Sequence, residues 1–88
     1  MAKEKLKNDL ERLKFEMDDS QVSDPQIRAL LEQHIVDIER QVEYPQESEH
    51  PETLAARLGE SMLEFESQHP RAAAIVNEIM MTLNNMGV

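Results

Sequence analysis

Apolar residues recur at intervals of three and four along almost the whole chain, and prolines break that rhythm where helices must start or stop. Leu6, Leu10, Leu13 and Met17 form a first series. Ile27, Leu30, Leu31, Ile35, Ile38 and Val42 form a second, and Leu54, Leu58, Met62 and Phe65 a third. Ala72, Ile75, Val76, Ile79, Met80, Leu83 and Met86 complete the pattern. At 3.6 residues per turn, such spacing gathers side chains onto one face of a helix. Two glycines and three aromatic residues (Phe15, Tyr44, Phe65) in 88 positions also favour helix over sheet.

The boundaries follow from local chemistry. Ser23 or Asp24 is the expected cap of the second helix, with Pro25 at its first position. Tyr44-Pro45 ends it, because the residue before a proline is pushed out of helical geometry. Ser48, Glu49 or His50 caps the third helix ahead of Pro51, and Pro70 opens the fourth. Residues 18–24 read as a polar loop, and Gly87 stands where a left-handed C-terminal cap belongs. The expected fold is all-α, a small antiparallel four-helix bundle or two packed helical hairpins. The helices run over about residues 3–17, 25–43, 51–67 and 70–86, within one domain covering 1–88.

These helices differ in how much they bury. The fourth has an apolar arc of roughly 160°, the widest, and is expected to be the most buried. The first has a seam of only roughly 60°, which suits a peripheral or dimer-forming helix. Gly59 sits inside the third helix, where glycine costs about 1 kcal/mol relative to alanine; close approach of another backbone would explain it.

Charge is distributed unevenly. Residues 1–14 are net +2, whereas 15–70 set fourteen acids against Arg28, Arg40 and Arg57, within a total of −9. A field of that sign repels phosphate, so nucleic acid is not an expected partner. The basic stretch from Lys3 to Lys14 reads as a solvated helix face. No apolar run is long enough to span a bilayer, and no signal-peptide pattern opens the sequence. Cytoplasmic residence is the expectation.

Chemistry has little raw material. The chain contains no cysteine, which removes disulfides, thiolate metal sites and a cysteine nucleophile together. Two glycines cannot make a phosphate-binding loop. His34 lies within an apolar face with Asp37 three residues on; the pair could supply two metal ligands, but a buried, hydrogen-bonded histidine is the simpler reading. His50-Pro51 and His69-Pro70 read as caps and turns. Ser48 and Ser67 each lie two residues from one of these histidines, a local turn relation rather than a triad. Four large apolar residues, Phe15, Val36, Leu63 and Met81, fall off the core faces and form the candidate interaction surface.

Some features repeat a known pattern. The chain opens Leu6-x-x-x-Leu10-Glu11-Arg12-Leu13 and continues into a Leu/Ile-rich second helix. Near its end come Phe65-Glu66-Ser67-Gln68-His69-Pro70 and Leu83-Asn84-Asn85-Met86-Gly87-Val88. Together these resemble the small bacterial proteins grouped as domain-of-unknown-function family 4404. The resemblance implies a bacterial, intracellular helical protein and carries no catalytic residues. Some members bear names implying chromosome partitioning, a label that does not carry over to a chain without a nucleotide-binding loop.

The resulting expectation is a non-enzymatic interaction protein that self-associates, as a homodimer for example, through an apolar helical surface. An acidic regulator or adaptor that binds a basic protein is the alternative, and a small-ligand or metal-binding bundle is the third reading. No catalytic, cofactor-binding or metal-binding residue is assigned. The expected partner is a protein or a second copy, not a membrane or a small-molecule substrate.

Overall fold

A computed structural model describes residues 2–19 and 24–86. They form α1 (Ala2–Asp19), α2 (Pro25–Glu43), α3 (Pro51–Phe65) and α4 (Pro70–Met86), with a 3-10 turn at Pro45–Glu47. The described residues contain no strand. Pro25, Pro51 and Pro70 each occupy a first helical position, where the missing N–H would have had no partner.

Capping settles most of the boundaries. The Asp24 carboxylate accepts a hydrogen bond from the Gln26 N–H at 2.9 Å and starts α2. Ser23, the other candidate cap, lies outside the described residues, as do 20–22 of the expected loop. Asp18 belongs to the last turn of α1 rather than to that loop. His50 caps α3, its Nδ1 accepting from the Glu52 N–H at 3.3 Å. Ser48 closes α2 instead: its hydroxyl donates to the carbonyls of Arg40 and Tyr44, at 3.1 and 2.8 Å. Both carbonyls also accept backbone N–H groups, Arg40 from Tyr44 at 2.8 Å and Tyr44 from Glu47 at 3.0 Å, so the hydroxyl reinforces this helix end.

The third helix ends at Phe65, two residues earlier than its apolar spacing predicts. The Phe65 carbonyl accepts from the N–H groups of Gln68 and His69, and the His69 carbonyl accepts from Ala73 to begin α4. The Phe-Glu-x-x-His-Pro run is therefore the turn between the last two helices. It is anchored by the Phe65 ring, which is fully buried. Gly87 lies outside the described residues.

Each helix packs against two others, in the cyclic order α1–α2–α3–α4–α1. Ion pairs show the antiparallel sense: Arg71 near the start of α4 meets Glu16 late in α1, while Glu78 further along meets Arg12 and Lys5. The two helical hairpins thus close on each other within one chain. The contacts of α4 with α3 and α1 are the most extensive, and Val76, Ile79 and Leu83 have no exposed surface.

The expectation that α1 is peripheral is corrected here, since it packs against both α2 and α4. Leu6, Leu10, Leu13 and Met17 are all buried within the chain. A narrow seam suffices because the broad face of α4 supplies the other side of the interface. Cross-helix charges then close the flank. Asp9, also buried, lies 3.2 Å from Lys5 and 3.3 Å from Arg12, and Arg12 continues to Glu78 at 2.6 Å. The basic stretch is therefore only partly a free solvated face: Lys5 and Arg12 tie α1 to α4, and Lys14 reaches Glu39 of α2 at 2.8 Å.

Gly59 faces a side chain rather than a backbone. A Cβ added there would lie 2.9 Å from the terminal methyl of Met80. That methyl ends a flexible chain and can move aside. Gly59→Ala should therefore raise the unfolding free energy by about 0.5 kcal/mol, helix propensity outweighing a small repacking cost. A lower thermal midpoint would show that Met80 is held rigidly. On α1, Leu13→Ala should cost about 2–5 kcal/mol in urea unfolding. Phe15→Ala on the opposite side of the same helix should stay within about 0.5 kcal/mol of wild type. Similar costs for the two would contradict the inward placement of the leucine seam.

Candidate functional site

The buried stripe of α2 runs Ile27, Leu31, His34, Ile38 and Gln41, at spacings of four, three, four and three, with Val42 beside the last. Two of the six are polar, seven residues apart; His34 borders a recess shared with α3 and Gln41 one shared with the turn after α2. His34 is 4% exposed and Gln41 2%. Neither ring nitrogen of His34 has a hydrogen-bond partner, and the Gln41 side-chain oxygen also lacks one. Each such buried group costs about 1–3 kcal/mol while it stays unsatisfied. They are the residues of this fold that packing alone does not explain.

Both line recesses at the α2–α3 junction. One, of about 400 Å³, is bordered by His34, Asp37, Arg57, Glu60, Ser61 and Glu64. The other is bordered by Asp37, Arg40, Gln41, Ser48 and Glu49. Asp37 borders both and forms the divide. Its Oδ2 accepts from Arg57 at 2.5 Å and its Oδ1 from the Gln33 amide at 3.2 Å. Arg57 also reaches Glu49 at 3.1 Å, so one guanidinium bridges two carboxylates across the groove. Glu60 and Glu64 project from α3 one turn apart. Neither has an ion-pair partner among the described residues.

His34, Asp37 and Ser61 are the residue types of a hydrolytic triad and share one recess, but they are not wired as one. A working triad needs the base bonded to the nucleophile and oriented by the acid. Here His34 bonds to neither, and both Asp37 oxygens are engaged elsewhere. Metal ligation by the His34/Asp37 pair gains no third member: among the described residues, no group of three or more His, Asp or Glu side chains could hold an ion. The expectation that His34 is hydrogen bonded within the core is corrected, since the helix facing it offers no partner in reach. Burial is the largest influence on its pKa and lowers it; nearby Asp37 acts in the opposite direction and Arg57 in the same one.

Of the four off-face apolar residues, Phe15 is 65% exposed, Val36 54%, Leu63 76% and Met81 60%. Each lies opposite the buried stripe of its own helix, and they occupy four different helices. All four therefore point away from the core. Tyr44, also exposed, shares a shallow acidic recess with Val36. The pattern of α2 contained a signal for Gln41, which continues the spacing of Ile27, Leu31, His34 and Ile38. Arg57 left no such signal, because its partner Asp37 is twenty residues away.

A neutral, buried His34 makes stability depend on pH. In the unfolded chain it titrates near its ordinary value of 6.5, and in the folded chain lower. Above both values the residue is neutral in either state. Below 6.5 the unfolded chain takes up a proton that the folded one resists, so the stabilising difference is lost as pH falls. Urea unfolding between about pH 8 and 5.5 should show stability level at the alkaline end and declining from about pH 6.5 downward. His34→Leu should flatten that decline, and an unchanged slope would refute the assignment.

No helix among the described residues is long and apolar enough to cross a membrane. Comparison with curated proteins and with solved structures gives no match. The two motifs that frame the last helix, the Phe65-to-Pro70 turn and the Asn-Met-Gly ending, fall inside a stretch matched by one family description. With residues 6–88 matching the family model "Domain of unknown function (DUF4404)", the chain belongs to that family.

Proposed function

We propose that this protein is a non-enzymatic binding module that acts through the acidic α2–α3 face on a basic protein partner. The observation that carries this reading is where the cations go. Lys5, Arg12, Lys14, Arg28, Arg57 and Arg71 are all engaged in ion pairs with the chain's own acids. Glu43, Glu47, Glu52, Glu60 and Glu64 lie on α2, α3 or the turn between them, outside those pairs. Six of the nine cations are used in this way, and Arg40, which borders a recess with Glu43 and Glu47, is the one cation of α2 and α3 outside those pairs, so acids outnumber it on this face of a chain of net charge −9. Such a field steers cationic partners in and repels polyanions.

Self-association through exposed apolar residues has less support, because Phe15, Val36, Leu63 and Met81 are distributed one to a helix. Work in a bacterial cytoplasm is part of the same proposal and rests on the family resemblance.

The test is capture from the native cell on immobilised protein, washed in steps of rising salt. Basic proteins should be retained at about 50 mM salt and released by about 300 mM, since exposed charges are screened over that range. Retention of no basic protein, or retention insensitive to salt, would overturn the proposal.

A further inference from the structure

We infer that the recess beside His34 is a socket for one cationic side chain, arginine or lysine, of a basic protein segment. The inference rests on the acidic-face reading and names its binding site. Three independent features meet at this place. His34 borders the recess almost wholly buried, and its two ring nitrogens have no partner. Glu60 and Glu64 stand on the opposite wall without ion-pair partners among the described residues. Arg57, the one cation on the rim, already shows what the groove accepts: its guanidinium bridges Asp37 and Glu49.

The chemistry of the walls selects the ligand. A neutral imidazole offers one acceptor nitrogen, and two carboxylates offer acceptors only. An ammonium or guanidinium group brings N–H donors and positive charge together, and it bonds more strongly to ionised acceptors than a neutral donor does. An anionic ligand would meet Asp37, Glu60 and Glu64 against a single arginine that is already paired. Protonated His34 would add a positive charge to the socket, so a cation and an uncharged imidazole belong together. The groups facing His34 across the groove are Arg57, Glu60, Ser61 and Glu64 of α3, with Gln33 and Asp37 on its own helix.

The probe is a blocked hexa-arginine peptide titrated into the intact protein, followed by calorimetry and by the ring resonances of the three histidines. His34 resonances should move with the binding curve. Glu60→Gln with Glu64→Gln should weaken binding about tenfold more than Glu4→Gln with Glu66→Gln, which removes the same charge outside the groove. His34→Leu, which keeps the core apolar, should weaken binding about fivefold and leave the salt dependence intact. The socket is overturned if both glutamine pairs weaken binding equally, if His34→Leu binds like wild type, or if the His34 resonances stay still. In each of those cases salt-sensitive binding still supports the acidic-face reading. Absence of peptide binding to wild type at low salt overturns both. Measuring His34 in the unmodified protein keeps the test valid even if a variant fails to fold.

Discussion

The wide apolar face of α4 is the constraint on which the fold depends. Its fully buried Val76, Ile79 and Leu83 make it the shared wall for α1 on one side and α3 on the other. In a chain of this size, with no disulfide and one buried aromatic ring, packing of aliphatic side chains has to supply the stability. Sharing one broad surface between two neighbours lets each of them bury its own stripe completely. That is why the narrow leucine seam of α1 is sufficient.

The remaining pair of neighbours, α2 and α3, is built differently. Their contact is less extensive than that of α3 with α4, and two of the six buried positions on α2 are polar. Leucine at positions 34 and 41 would pack better than histidine and glutamine with unpaired atoms. The same side of the bundle carries the bridge of Asp37, Arg57 and Glu49 and the unpaired Glu60 and Glu64. The bundle thus has an aliphatic wall around α4 and a polar groove beside α2, with α3 belonging to both.

Local features were legible in the sequence because their causes are local. Tyr44-Pro45 ends α2, Pro51 and Pro70 open their helices, and the spacing from Ala72 to Met86 shows α4 as the broadest face, all from interactions within a few residues. The burial of Asp9 was not legible, since it sits at the edge of the leucine seam and its fate depends on which neighbour covers it. Asp37 was visible as a helical neighbour of His34, but its partner Arg57 is set by the pairing of α2 with α3. Whether Phe15, Val36, Leu63 and Met81 are neighbours likewise depends on how the helices are arranged around their axis. Off-face position within each helix says only that a residue points outward.

The charges of α4 have a further role. In the whole helix there are two, Arg71 and Glu78, and α1 meets both: Glu16 takes the first, Lys5 and Arg12 the second. These side chains are mostly exposed, and pairs of that kind contribute only about 0–1 kcal/mol. Their value is in specification. Aliphatic faces with spacings of three and four could slide past each other by a turn and still bury comparable area. A one-turn slip would separate Glu78 from its two cations and Arg71 from Glu16, and would leave buried Asp9 against a different surface. Two charges therefore act as an alignment code, fixing the register of a helix pair that hydrophobic burial holds together without positioning.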